Sequence, residues 1–162
     1  MKLKILPHTQ ALLHTTPVGN VVITEYKAII NQLFFLRSSQ LIHMNWEETM
    51  LLQQTALQLN EYFHGKRRIF NIPISLQGSD FELAVWEALA TIPYGETRSY
   101  GEIARQIGRP TASRAVGQAI HKNPIHIIIP CHRVIGAQGK LTGYTAGTDI
   151  KQSLLQREAF YY

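Results

Sequence analysis

The chain uses cysteine once in 162 residues and places it in "IIIPCHRVIG", residues 127–136, between a proline and a histidine. A thiolate is a strong nucleophile and a thiol a weak one, so what Cys131 can do depends on which neighbour takes its proton. His132 follows directly and could act as that base, and the cationic Arg133 beside it favours thiolate. Neighbours in an extended chain point to opposite faces, so adjacency leaves two readings open: a small buried hydrophobe or a reactive nucleophile. One cysteine excludes an internal disulfide and any multi-cysteine zinc site. His8, His14, His43 and His64 lack metal-ligand spacing, so neither a metal nor a cofactor is expected.

Charge is the second chemical signal. Residues 96–140 hold Arg98, Arg105, Arg109, Arg114, Lys122, Arg133 and Lys140 against Glu96 and Glu102, and 7 minus 2 equals the whole net charge of +5. Such a block suits phosphates, although a solvated basic face is the blander reading. Within it, "SYGEIARQIG" (residues 99–108) sets Tyr100, Ile103, Ala104 and Ile107 on one helical face, with Gly108 as a stop. The following "RPTASRAVGQAIHKNP" starts after a proline, offers Thr111 or Ser113 as a cap and runs to Asn123. Two short helices with a brief joint form the helix-turn-helix arrangement. On the second, Ala115, Val116, Ala119 and Ile120 make the apolar side, and Arg114, Gly117, Gln118 and His121 the other. Glycine inside a helix costs about 1 kcal/mol against alanine, so Gly117 needs a reason. Close helix packing and close approach to a groove, with Arg114 as its long probe, both supply one.

The remaining elements have to carry these groups. Val21–Ile23 and Leu33–Leu36 predict strands of a small sheet. "NWEETMLLQQTALQLNEYFHG" predicts a helix with acids in its first turn and a stop at Gly65, and "FNIPISL" an edge strand or extended linker marked by Pro73. At "QGSD" the composition turns helical. Ser79 and Glu82 have capping-box spacing, and Phe81, Val85, Trp86 and Leu89 share the next helix face. "HIIIPCHRVIG" reads as a buried strand delivering Cys131 to a turn. The expected domains are therefore 1–76, a mixed sheet and helix, and 77–162, mostly helical. No run approaches the roughly 20 apolar residues of a membrane span, and "MKLKILPHTQALLH" lacks a leader's apolar core. A cytoplasmic monomer is expected, nucleoid-associated in a prokaryote.

Taken together, "SYGEIARQIGRPTASRAVGQAIHK", "NPIHIIIPCHRVIG" and "GYTAGTDIKQSLLQRE" stand in the order found in the methylated-DNA–protein-cysteine methyltransferases, or O6-alkylguanine-DNA alkyltransferases, and the chain resembles that family from about residue 78 to 158. The resemblance implies an α+β protein. It would have a small ribonuclease H-like N-terminal domain and a mostly helical, winged-helix-like C-terminal domain containing the helix-turn-helix. It further implies irreversible, single-turnover transfer of an alkyl group from O6-alkylguanine, and also O4-alkylthymine, in double-stranded DNA to Cys131. His132 would draw off the thiol proton through a water, Glu158 would orient His132, and Tyr100 would assist the leaving guanine. The base would be flipped from the minor-groove side, with Arg114 filling the gap and Ala112, Ser113, Ala115 and Gly117 forming the small face in the groove. Asn123 would tie the recognition helix to the cysteine turn, while Val134, Tyr144 and Thr145 would border the pocket. Many family members carry two glycines after the residue matching Thr145. This chain has Ala146 and Gly147, an added methyl that disfavours large alkyl groups. The binding-only relatives of the family replace the acceptor cysteine; a regulator reading the major groove would want longer side chains on its helix; a cysteine hydrolase would turn over repeatedly.

Overall fold

The computed structural model describes residues 8–36 and 44–162. His43 and the chain's first seven residues, read above for metal spacing and leader features, lie outside the described residues. The chain forms two compact units, Met1–Leu76 and Gln77–Tyr162.

In the first unit, β1 (Gln10–Thr16), β2 (Gly19–Tyr26), β3 (Ile29–Phe35) and β4 (Asn45–Trp46) form a sheet of order β3-β2-β1-β4. The β2–β3 hairpin turns on Lys27 and Ala28, both at positive φ (53° and 59°), the twist that a tight hairpin demands. Helix α1 (Met50–Phe63) buries Leu52, Ala56, Leu59, Tyr62 and Phe63. It is shorter than expected and has no acid in its first turn. Thr49 caps it by accepting from Leu52 N, and Asn45–Trp46 instead pair in parallel with Gln10–Ala11 of β1. The Gly65 stop stands, at φ 70° with its N–H on Tyr62 O. "FNIPISL" forms no regular strand; it is extended chain whose Ile74 makes a single parallel bridge to Ile30. Strand β1 had no sequence expectation, because its partner spacing is set only by the hairpin that follows.

The second unit begins with α2 (Asp80–Ala90), whose capping box between Ser79 and Glu82 is complete. Strand β5 (Arg98–Ser99) runs directly into α3 (Tyr100–Gln106), and Ser99 with Glu102 forms a second capping box. Helix α4 (Ser113–His121) follows after a short joint, and α5 (Thr148–Phe160) closes the unit. Buried Trp86 of α2 donates its indole N–H to Ala119 O of α4 at 2.9 Å, which fixes the crossing of those helices. A short parallel pairing of β5 with β6 (Val134–Ile135), Arg98 opposite Val134 and Ser99 opposite Ile135, sets the start of α3 beside the cysteine turn. The protein is therefore α+β, with a sheet-bearing N-terminal unit and a mainly helical C-terminal one. No helix among the described residues is long and apolar enough to cross a membrane.

Two local expectations fail in α4. Neither Thr111 nor Ser113 caps it: Ala112 holds the cap position and Ser113 is already the first helical residue. Ala115 is exposed, because the buried stripe is the narrower set Val116, Ala119 and Ile120.

Candidate active site

Cys131 is only 2 % exposed and opens a single 3-10 turn, Cys131–Arg133. The segment before it is not a strand. A γ-turn closes around Ile127 by a 2.8 Å bond from Ile128 N to His126 O, with Ile127 at φ 70°, a strained conformation for a β-branched residue. A second, inverse γ-turn centres on Pro130 (φ −81°, ψ 62°), where Cys131 N donates to Ile129 O at 2.8 Å. Two prolines and a left-handed residue thus fold an apolar run that composition alone reads as β.

Asn123 holds this doubled turn. Its side chain is fully buried, donates from Nδ2 to Ile129 O at 2.9 Å and accepts from Ile125 N at 3.0 Å. Asn123, Tyr144 and the Lys151 ammonium act to lower the pKa of the Cys131 thiol. Burial nevertheless dominates and pushes the thiol above its ordinary pKa, so the thiolate-favouring effect expected of its cationic neighbour is not found. Arg133 is turned the other way.

Its partner is Glu158. Arg133 donates from Nε to Oε2 and from Nη2 to Oε1, both at 2.9 Å, and from Nη1 to Ile92 O at 2.7 Å, with its guanidinium over the Tyr94 ring. Gly95 N adds a bond to Oε2 at 3.1 Å, and His132 Nε2 lies 2.7 Å from Oε1. Burial works to raise the Glu158 pKa, but His132 and Arg133 overcome it and hold the carboxyl well below the usual range. An ionised Glu158 fixes the imidazole tautomer: Nε2 must carry the proton, which makes Nδ1 the basic nitrogen. Burial also lowers the His132 pKa, against the opposing pull of Glu158, which favours the neutral imidazole. The carboxylate therefore orients a base, and Arg133 keeps the carboxylate charged.

Tyr100 sits on the first turn of α3, and its hydroxyl donates to Thr142 O at 3.1 Å. It is half-buried rather than a core tyrosine. The same carbonyl accepts from Lys151 Nζ at 3.0 Å. Tyr144 is buried, while Thr145 donates its hydroxyl to His121 O at 2.9 Å and so joins its turn to the end of α4. Val134 is fully buried in β6 with its N–H on Cys131 O, and Ala146 is buried. On α4, Arg114 and Ala115 are exposed and Ala112, Ser113 and Gly117 half-buried. An added Cβ on Gly117 would meet the Tyr100 ring at 3.6 Å, an ordinary contact, so packing within the unit does not require the glycine.

The structure thus brings Cys131, Asn123, Tyr144 and Lys151 together at the sulfur, and His132, Glu158 and Arg133 into one buried ion-paired group. Arg114 and its small neighbours stand apart on the exposed side of α4. Sequence reasoning missed Lys151 and the true partner of Arg133. A signal for both existed: Lys151, Leu154 and Glu158 are the buried residues of α5, and they stand at i, i+3 and i+7. Among the described residues, no group of His, Cys, Asp or Glu is placed to hold a metal ion.

Comparison with known proteins agrees with this architecture. The family description "6-O-methylguanine DNA methyltransferase, ribonuclease-like domain" matches residues 12–76, and "6-O-methylguanine DNA methyltransferase, DNA binding domain" matches residues 80–160. The methylated-DNA–protein-cysteine methyltransferase of Methanosarcina barkeri is 47% identical over 146 residues, covering 88% of this chain and 92% of the relative. The constitutive enzyme of that name from Bacillus subtilis is 44% identical over 157 residues, 91% of this chain and 93% of the relative. The crystal structure of Mycobacterium tuberculosis OGT in complex with DNA superimposes with a TM-score of 0.86 at 44% identity, covering 94% of this chain and 93% of that one. With both domains matched and relatives this similar over nearly their whole length, the chain belongs to the methylated-DNA–protein-cysteine methyltransferase family.

Proposed function

We propose that this methyltransferase repairs double-stranded DNA by moving the alkyl group of O6-alkylguanine, and of O4-alkylthymine, irreversibly onto Cys131. The observation that carries this reading is the buried 2.7 Å pairing of His132 Nε2 with Glu158 Oε1 in the turn that begins with Cys131. In the reaction the thiol proton passes through a water to His132 Nδ1. The sulfur attacks the alkyl carbon, the S–C bond forms as the C–O6 bond breaks, and guanine leaves as an anion. Tyr100 then supplies that anion with a proton or hydrogen bond, after its hydroxyl leaves Thr142 O. The proton on His132 restores the balance, so the products are S-alkylcysteine and guanine. A thioether is not hydrolysed under these conditions, which makes the protein a single-use reagent.

Burial of the sulfur requires the base to leave the stack, a cost of a few kcal/mol. Exposed Arg114 has the length to fill the vacated space, and Ala112, Ser113, Ala115 and Gly117 leave no bulk to keep α4 out of the minor groove. Tyr144, Thr145 and the Val134 backbone border the guanine, and buried Ala146 limits the pocket to small alkyl groups. A monomer in the cytoplasm, acting at the nucleoid of a prokaryote, suits this role.

The test is intact mass after mixing the protein with excess duplex carrying one O6-methylguanine. One added methyl on Cys131, stopping at one equivalent, is expected. Repeated turnover, or tight binding with no mass gain, overturns the proposal. Cys131→Ala should abolish transfer and retain DNA binding. Arg114→Ala should slow reaction on duplex more than on the free O6-alkylated base.

A further inference from the structure

The last carbonyls of a helix have no partner within it and must find one elsewhere. At the end of α4, Lys122 N donates to Ala119 O at 3.1 Å and Asn123 N to Ile120 O at 3.2 Å. The next two residues do not serve His121 O: Pro124 has no N–H, and Ile125 N donates to Asn123 Oδ1 at 3.0 Å. The Thr145 hydroxyl takes their place, donating to His121 O at 2.9 Å, with its oxygen 3.2 Å from His121 Nδ1. A hydroxyl has one hydrogen. With that hydrogen on the carbonyl, Oγ1 accepts at the ring and Nδ1 carries the proton. Thr145 belongs to a turn closed by Gly147 N on Tyr144 O at 3.0 Å, in which Tyr144 and Ala146 are buried. Two positions after His121, the same helix end holds the cysteine turn through the 2.9 Å bond from Asn123 Nδ2 to Ile129 O.

We infer that His121 is a positioning residue for alkyl transfer: through its carbonyl and its ring it hangs the Tyr144–Gly147 turn from the end of α4. The inference rests on the proposed function, in which α4 enters the groove and that turn borders the flipped base. Asn123 fixes the turn that carries the sulfur, and His121 fixes the turn that carries Thr145 and Ala146. Both ties leave from residues 121–123, so one helix end sets the spacing between the two turns. Arg114, Gly117 and Gln118 lie on the same helical face as His121. A duplex that seats this face thereby seats the pocket, and the alkyl carbon meets the sulfur at a spacing fixed before the base arrives.

Thr145→Val removes the hydroxyl at nearly constant shape, Thr145→Ser keeps it, and His121→Ala removes the ring but not the carbonyl. The experiment measures hydrogen exchange of the Gly147 amide in the free protein. It also measures single-turnover methyl transfer from an O6-methylguanine duplex over a range of protein concentrations. Thr145→Val is expected to speed Gly147 exchange and to slow the saturating transfer rate, each about fivefold, the effect of one lost hydrogen bond. The half-saturating concentration should stay within about twofold of wild type, because the loss falls on the reacting geometry rather than on binding. Thr145→Ser should restore both rates. His121→Ala should show a smaller loss, and His121→Ala/Thr145→Val should be no slower than Thr145→Val alone, since the ring then has nothing to hold. Unchanged Gly147 exchange in Thr145→Val overturns the tie. Faster exchange with an unchanged saturating rate overturns the positioning role, and a Thr145→Ser variant as slow as Thr145→Val overturns the hydroxyl account. Additive losses in the double variant overturn the part given to the ring. Absence of transfer by the wild type overturns the proposed function and with it the positioning role, whereas the exchange comparison still decides the tie.

Discussion

Replacing Arg133 by methionine tests whether Glu158 is a charged anchor. The Glu158 side chain is 1 % exposed and accepts both Nε and Nη2 of Arg133, so Arg133→Met leaves a buried carboxylate with His132 and Gly95 N as its remaining partners. Removing one partner of a buried ion pair costs about 3–5 kcal/mol. Removing the charge as well, in Arg133→Met/Glu158→Gln, should recover most of that loss, because the amide has no ionic solvation to replace. The pH dependence has a definite sign. In the wild type the Glu158 pKa is depressed, so its contribution is present above the ordinary carboxylate pKa and is lost as pH falls through the folded value. In Arg133→Met the depression weakens, and the deficit relative to wild type should shrink on acidification. Urea unfolding followed by the fluorescence of buried Trp86, in a Trp46→Phe background, isolates the second unit. A loss below about 1 kcal/mol, or a double variant no more stable than the single one, refutes the anchor argument.

Acid should destabilise the second unit through His126. Unfolded histidine titrates near 6.5 and the buried one at about 4, so the unfolded chain binds the proton first, and about 2 kcal/mol should be lost between pH 7.5 and 5. Urea curves at the two pH values should show that part of the slope vanish in His126→Phe, leaving the share of His132, whose pKa burial also lowers. Gly117→Ala should raise helix stability by up to about 1 kcal/mol, since its Cβ meets Tyr100 at an ordinary distance, while weakening binding to a methylated duplex; a melting curve and a titration check both signs. Ser79→Ala should cost about 1 kcal/mol by opening the α2 capping box and leave the transfer rate unchanged in a single-turnover assay.

The sequence is most legible where a feature is local. The Ser79 capping box, the faces of α3 and the Gly65 and Gly108 stops are written within a few residues of where they act, and the motif order around Cys131 carries the family. Contacts between distant segments are not written that way. Arg133 meets Glu158 across 25 positions, and Tyr100 meets Thr142 across 42. A lysine or glutamate on a helix is ordinarily solvated, so Lys151 and Glu158 become exceptional only when α5 packs against the cysteine turn. The HIII run misleads for a related reason: its β propensity is overridden by two γ-turns that bring His126 inward, a tertiary demand invisible in a short window.

The groups that condition the sulfur are divided between the residues around it and α5, which follows it in the chain. During synthesis the cysteine is therefore joined to the chain before Lys151 and Glu158 are. Until they arrive, His132 has no carboxylate to fix its tautomer and the sulfur no ammonium beside it. Because chains are made at about 5–20 residues per second, that interval is short but finite. A ribosome-bound or prematurely terminated chain would carry the thiol as an ordinary cysteine. Completion of α5, rather than synthesis of the nucleophile, becomes the event that sets the His132 tautomer and buries the thiol, so an unfinished chain carries an ordinary, unprotected cysteine.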